Sequence, residues 1–196
     1  MSFEIASGIP NYPATNPVYG AMAAGRTLVA AMLLGAVANA ALFALVWGKR
    51  DQPGVRWFAA LLPIVTTWCL AQALSLVVAD RSLTQLLDVV GWGAASLVPV
   101  AWLGFTLAYT GRGHLLTRRH FAALCVLPAT VAPVVLTNVG HLAYTDVAVV
   151  PWQGLTVVTY DLGPWLLVDV AFIFVLVGVA FTLLAGFFWS EDGRYR

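Results

Sequence analysis

The sequence predicts an all-α integral membrane helix bundle of about five transmembrane helices, with an extracellular β-hairpin between helices 4 and 5. Three observations carry that prediction. First, five stretches hold no charged side chain: 27–47, 57–79, 89–110, 121–138 and 170–189. A hydrocarbon core of about 30 Å takes roughly 20 apolar helical residues, and each stretch is of that order. Second, hydrophobic residues make up 61% of the chain and charged residues 10%, too few to coat a soluble domain of 196 residues. Third, the basic residues gather in alternate connections between the stretches.

Residues 1–26 lack a basic leader region. Pro10, Pro13 and Pro17 interrupt any short apolar core, so an exposed N-terminal tail is expected rather than a secretory signal. Helices are predicted at about 27–47, 57–79, 87–110, 121–138 and 165–189. Residues 27–190 thus form the transmembrane domain and 191–196 a cytoplasmic tail. Pro63, Pro99, Pro128 and Pro133 fall inside spans, where each frees a carbonyl and bends its helix. Small residues at four-residue spacing, Ala31-Gly35-Asn39 and Gly178-Thr182-Gly186, are expected to face other helices. Asn39 and Gln72 should point into the bundle. At about 1.5 Å of rise per residue, Cys69 lies about 20 Å and Cys125 about 8 Å from the same membrane face, so two free thiols are expected.

The loops set the orientation. The first (48–56) carries Lys49, Arg50 and Arg56, and the third (111–120) carries Arg112, Arg118 and Arg119. The fourth, 139–169, carries no Lys or Arg. The positive-inside rule places the first and third loops in the cytoplasm, giving a multi-pass plasma-membrane protein with its N-terminus outside and its C-terminus inside. In the fourth loop, β-branched runs flank Pro151-Trp152-Gln153-Gly154, which predicts a hairpin at about 146–161 over the outer mouth of the bundle.

Asp88 and Asp169 are expected at the outer ends of helices 3 and 5, Asp169 in the first turn of its helix, where a negative charge complements the dipole. Asp88, Trp92 and Ser96 share one helical face by i, i+4 spacing. With His141 and with Trp152 and Tyr160 of the hairpin, these residues form the candidate ligand-sensing set, suited to a cationic or polar ligand or to sensing pH. The sequence holds no His-Glu-x-x-His, Gly-x-Ser-x-Gly or Walker-type motif and no Cys/His metal spacing. No Lys occupies a helix centre, which excludes a retinal Schiff base. No cofactor, metal site or catalytic residue is expected. A net charge of +1 without a basic cluster argues against nucleic acid as a partner.

Pro99-Val100-Ala101-Trp102-Leu103-Gly104-Phe105, continuing to Tyr109-Thr110-Gly111, forms a P-x-x-W-L-x-F-x-x-x-Y-T-G segment. Leu127-Pro128, Thr137-Asn138-x-x-His141-Leu142 and the tail Gly193-Arg194-Tyr195-Arg196 follow in order. The pattern resembles the histidine-kinase N-terminal seven-transmembrane-helix region, a membrane sensor module of two-component signalling proteins. The resemblance implies a sensory, signal-transducing function. The chain holds about five helices rather than seven, with neither a phospho-accepting dimerisation helix nor a nucleotide-binding lobe, so kinase activity does not carry over. It is either a fragment or a shortened relative. The expected partners are the lipid bilayer, a kinase or other signalling output domain or partner, and a second copy of the chain as a homodimer. Two other readings stand beside this one: a small transporter or channel subunit, and a structural membrane subunit packing through 178–186.

Overall fold

The computed structural model of the protein describes residues 17–192 apart from 53, 79, 153 and 154. Five long helices, α1 (Pro17–Trp47), α2 (Val55–Ser75), α3 (Arg81–Tyr109), α4 (Arg118–Thr137) and α5 (Pro164–Asp192), are joined by short connections. The exception is the link from α4 to α5, which contains β1 (Tyr144–Trp152) and β2 (Leu155–Leu162). Among the described residues, all five helices are long and apolar enough to cross a membrane. Residues 1–16 of the expected tail and 193–196 of the C-terminal tail lie outside the described residues.

The helices begin earlier than the charge-free runs. α1 starts at Pro17, ahead of the expected position 27, and α3 starts at Arg81 rather than near 87. Asp80 explains the second case: as N-cap, its Oδ1 accepts from the Leu83 amide at 2.8 Å, supplying one of the partners that a helix start lacks. Charged residues are tolerated in end turns because those turns reach past the hydrocarbon. Asp88 therefore lies about 10 Å along α3 from its start rather than at its tip. Asp169 likewise sits beyond the first turn of α5, which holds no acid, and not in it as expected.

α3 is the central helix. It packs against α2, α4 and α5, while α1 packs on α2. Of its most apolar window 44% is buried in the bundle, against 6% for α1. Gly104 lets α2 approach α3 closely, and Gly91 also faces α2, with room for ordinary contact. A Cβ on Gly104 would come within 2.6 Å of the Trp57 ring, and one on Gly91 within 3.7 Å of Ala71. At one end Val89, Val131, Val135, Ala143, Tyr144 and Leu166 form a core beneath the hairpin. Farther along, Val100, Leu103 and Leu107 of α3 meet Leu176 and Ala180 of α5.

One packing expectation is corrected. The Gly178-Thr182-Gly186 stripe faces away from the other helices: Thr182 is exposed, and a Cβ on either glycine would meet nothing within 4 Å. The packed face of α5 is instead the one bearing Asp169, Leu176 and Ala180, because a buried acid such as Asp169 must face protein. Asn39 forms its bond within its own helix, Nδ2 donating to the Gly35 carbonyl at 2.7 Å. Cys69 and Cys125 are free thiols.

The strands pair antiparallel from Tyr144↔Leu162 to Trp152↔Leu155, with a register shift between Thr145 and Ala148. Asp146 adopts φ 50° within that bulge. Pairing thus runs through Pro151 and Trp152, which the sequence assigned to the turn.

Candidate sensing site

Asn138 shapes the floor of the site. It ends α4 in the left-handed region (φ 42°), which asparagine tolerates better than most residues. Its Oδ1 accepts from the Ala143 and Tyr144 amides, each at 3.0 Å, and its Nδ2 donates to the Tyr144 carbonyl at 3.1 Å. One amide side chain therefore turns the chain from α4 into β1 and places the Tyr144 ring under the hairpin.

Tyr144 and Tyr160 pack with centroids 4.4 Å apart. The Trp92 Nε1–H donates to Tyr160 Oη at 3.0 Å, tying β2 to α3. The Tyr144 hydroxyl is buried and has no partner among the described residues. Burial first, then the neighbouring Tyr160 and Asp88, push the Tyr144 phenol up. For Tyr160, burial pushes up, the Trp92 bond partly offsets it and Asp88 adds to it. Both phenols therefore keep their protons at neutral pH.

Between these rings and α3 lies a cavity of about 140 Å³, lined by Thr84, Gln85, Asp88, Asn138, Tyr144, Val147, Val158 and Tyr160. A second cavity of about 100 Å³ shares Thr84, Asp88, Val158 and Tyr160 with it and extends to Gln72 and Ser75 of α2. Among the described residues no hydrogen bond or ion pair engages the Asp88 carboxylate.

Below the pocket, Ser96 Oγ lies 2.6 Å from Asp169 Oδ2, and both residues are fully buried. The face expected from the spacing of Asp88, Trp92 and Ser96 therefore makes three successive connections. Asp88 lines the cavity, Trp92 holds the hairpin and Ser96 holds α5. At the far end of the same helix pair, the Tyr109 and Phe187 rings meet at 5.8 Å.

Of the residues singled out from sequence, Asp88 and Tyr160 line the pocket and Trp92 braces it. Asp169 is not a lining residue and stands behind it through Ser96. His141 is exposed, at φ 57°, and is not among the lining residues. Trp152 ends β1, and its side chain lies outside the described residues. Tyr144, Thr84 and Gln85 escaped sequence reasoning. Helical spacing was the available signal for Thr84, one turn before Asp88.

The family model described as the N-terminal 7TM region of histidine kinase matches residues 31–196. The chain belongs to this family. No curated protein and no solved structure matches it. Membership in the histidine-kinase 7TM-region family, together with five apolar helices, makes this a multi-pass membrane protein and points to a sensory membrane module. The motif that resembles the family lies on α3 away from the pocket, where Trp102, Phe105 and Tyr109 stack in succession at 5.4 and 5.6 Å. Its Asn138 is the residue that shapes the pocket floor.

Proposed function

We propose that the chain is a membrane-embedded sensory and signal-transducing module. It reads a small polar ligand in the cavity beneath the hairpin and passes the event along α3 and α5 to a kinase or other output partner. The observation that carries this reading is the continuous α3 face from Asp88 through Trp92 to Ser96. That face touches the pocket, the hairpin and α5 in turn, so a change at the first contact biases the other two. The basic first and third loops support a plasma-membrane orientation with the hairpin outside and the end of α5 inside.

The test is a distance measurement between spin labels at Tyr109 and Phe188, in a chain whose Cys69 and Cys125 are replaced by Ser. Trp92→Phe removes the donor to Tyr160 while keeping an aromatic ring. The distance distribution at the far end is expected to change with that substitution. An unchanged distribution in the folded variant overturns the transmission route.

A further inference from the structure

Three features compete for an assignment beyond sensing as such. The Gly178-Thr182-Gly186 stripe is exposed, but nothing in the structure indicates what covers it. A cavity of about 400 Å³ near Arg56 and Arg118 has mostly apolar walls, and both arginines are exposed at its edge. The pocket beneath the hairpin is different, because its free polar groups have a definite chemical sense.

Resting on the reading of that pocket as the input site, we infer that its ligand is a small organic ammonium ion carrying a hydrogen-bonding oxygen. The Asp88 carboxylate would hold the ammonium, and Tyr144 would hold the oxygen. Four observations support this. Asp88 lines the cavity and is unengaged among the described residues, so a cation completes it without displacing an existing partner. Tyr144 is 7% exposed, lines the same cavity, and its hydroxyl has no partner among the described residues, which a ligand oxygen would supply. Tyr144 and Tyr160 both line the cavity, so it has the aromatic surroundings that favour ammonium groups. The last observation is the local charge. Segments 76–88 and 138–169, which frame the pocket, contain five acids (Asp80, Asp88, Asp146, Asp161, Asp169) and one base, Arg81. Such an excess draws cations toward the site and repels anions.

The remaining lining groups agree with a small ligand. Asn138 already holds three bonds to backbone partners, and the Thr84 hydroxyl donates to the Asp80 carbonyl at 2.9 Å. Gln85 donates to the Leu136 carbonyl at 3.4 Å. A cavity of about 140 Å³ suits a ligand of choline size and not a peptide.

The experiment uses the full chain in nanodiscs of phosphatidylglycerol, which carry no ammonium headgroup. Choline, ethanolamine and 3,3-dimethyl-1-butanol, the uncharged isostere of choline, are titrated against thermal unfolding and tryptophan fluorescence. Choline or ethanolamine is expected to bind and the isostere to bind at least about tenfold more weakly, as the loss of a desolvated charge contact requires. Asp88→Asn should weaken ammonium binding about tenfold, and Tyr144→Phe by about threefold while leaving the ring in place. Nanodiscs doped with phosphatidylcholine separate the sources: loss of free-choline binding there assigns the site to a lipid headgroup, and retention assigns it to a soluble amine. Equal binding of the isostere, lost in Tyr144→Phe, overturns the ammonium assignment and leaves the input site standing. No response to any of the three compounds overturns the assignment, while the spin-label test of the transmission route is judged by its own outcome.

Discussion

Ser96 on α3 and Asp169 on α5 meet through a 2.6 Å contact between Oγ and Oδ2, at a depth where neither residue is exposed. The Ser96 hydroxyl has one proton to donate and a second acceptor close by, the Trp92 carbonyl at 2.9 Å. Asp169 Oδ1 has no partner among the described residues. Ser96 is therefore the residue that makes the buried acid tolerable.

The two halves of this pair should respond unequally to removal. Ser96→Ala strands Asp169 and is expected to cost about 1–3 kcal/mol, the penalty of an unsatisfied buried group. Asp169→Leu removes the buried acid and leaves Ser96 its own helix carbonyl, so it is expected to cost less. A double-mutant cycle should give a coupling of about 0.6–1.7 kcal/mol, the range of interhelical hydrogen bonds in membranes. Thermal unfolding in nanodiscs measures all three quantities. If Asp169→Leu were the more damaging change, the ordering argued here would be wrong.

How far the sequence disclosed this arrangement depends on the range of each interaction. The spans were legible because charge is excluded from hydrocarbon wherever a helix crosses it, a property of local composition. Their ends were not, because Asp80 caps α3 from inside a polar segment and end turns admit charge. The Asp88–Trp92–Ser96 face was legible from i, i+4 spacing alone. Its partners were not, since Tyr160 and Asp169 lie 68 and 73 residues away from Trp92 and Ser96 and meet them only through tertiary packing. Tyr144 was hidden for a different reason. The bulge between Thr145 and Ala148 breaks the two-residue alternation that would have placed it on the inner face with Tyr160.

The tyrosine pair gives the pocket a stability that depends on pH in a known direction. Burial moves the ionisation of both Tyr144 and Tyr160 to a pH above the unfolded value of about 10. The folded state thus binds these protons more tightly than the unfolded chain. Their contribution is complete below about pH 10 and declines as pH rises beyond it. Thermal unfolding followed upward from neutral pH should therefore show a downward slope above about pH 10. The slope is expected to flatten in Tyr144→Phe/Tyr160→Phe. An equal slope in that variant would show that other groups control alkaline unfolding.

Gly163 joins the hairpin to α5, and its backbone lies against the connection from α4 to β1. Its amide donates to the Ala143 carbonyl at 2.7 Å, and the next helix amide, on Trp165, donates to the Leu142 carbonyl at 3.0 Å. A Cβ there would press into the carbonyls of His141 and Leu142, which are backbone atoms that cannot rotate away. Gly163→Ala must push the start of α5 off the α4–β1 corner, and is expected to cost about 1–3 kcal/mol, as other overpacked sites do. Gly178, with nothing near its missing Cβ, supplies the contrast on the same helix. Gly178→Ala should be neutral or stabilising by up to about 1 kcal/mol, the gain of alanine over glycine in a helix. Parallel thermal unfolding of the two variants decides the matter. Because α5 carries Asp169, the Gly163 variant should also lose sensitivity to Ser96→Ala, since a displaced α5 no longer holds its acid against the serine.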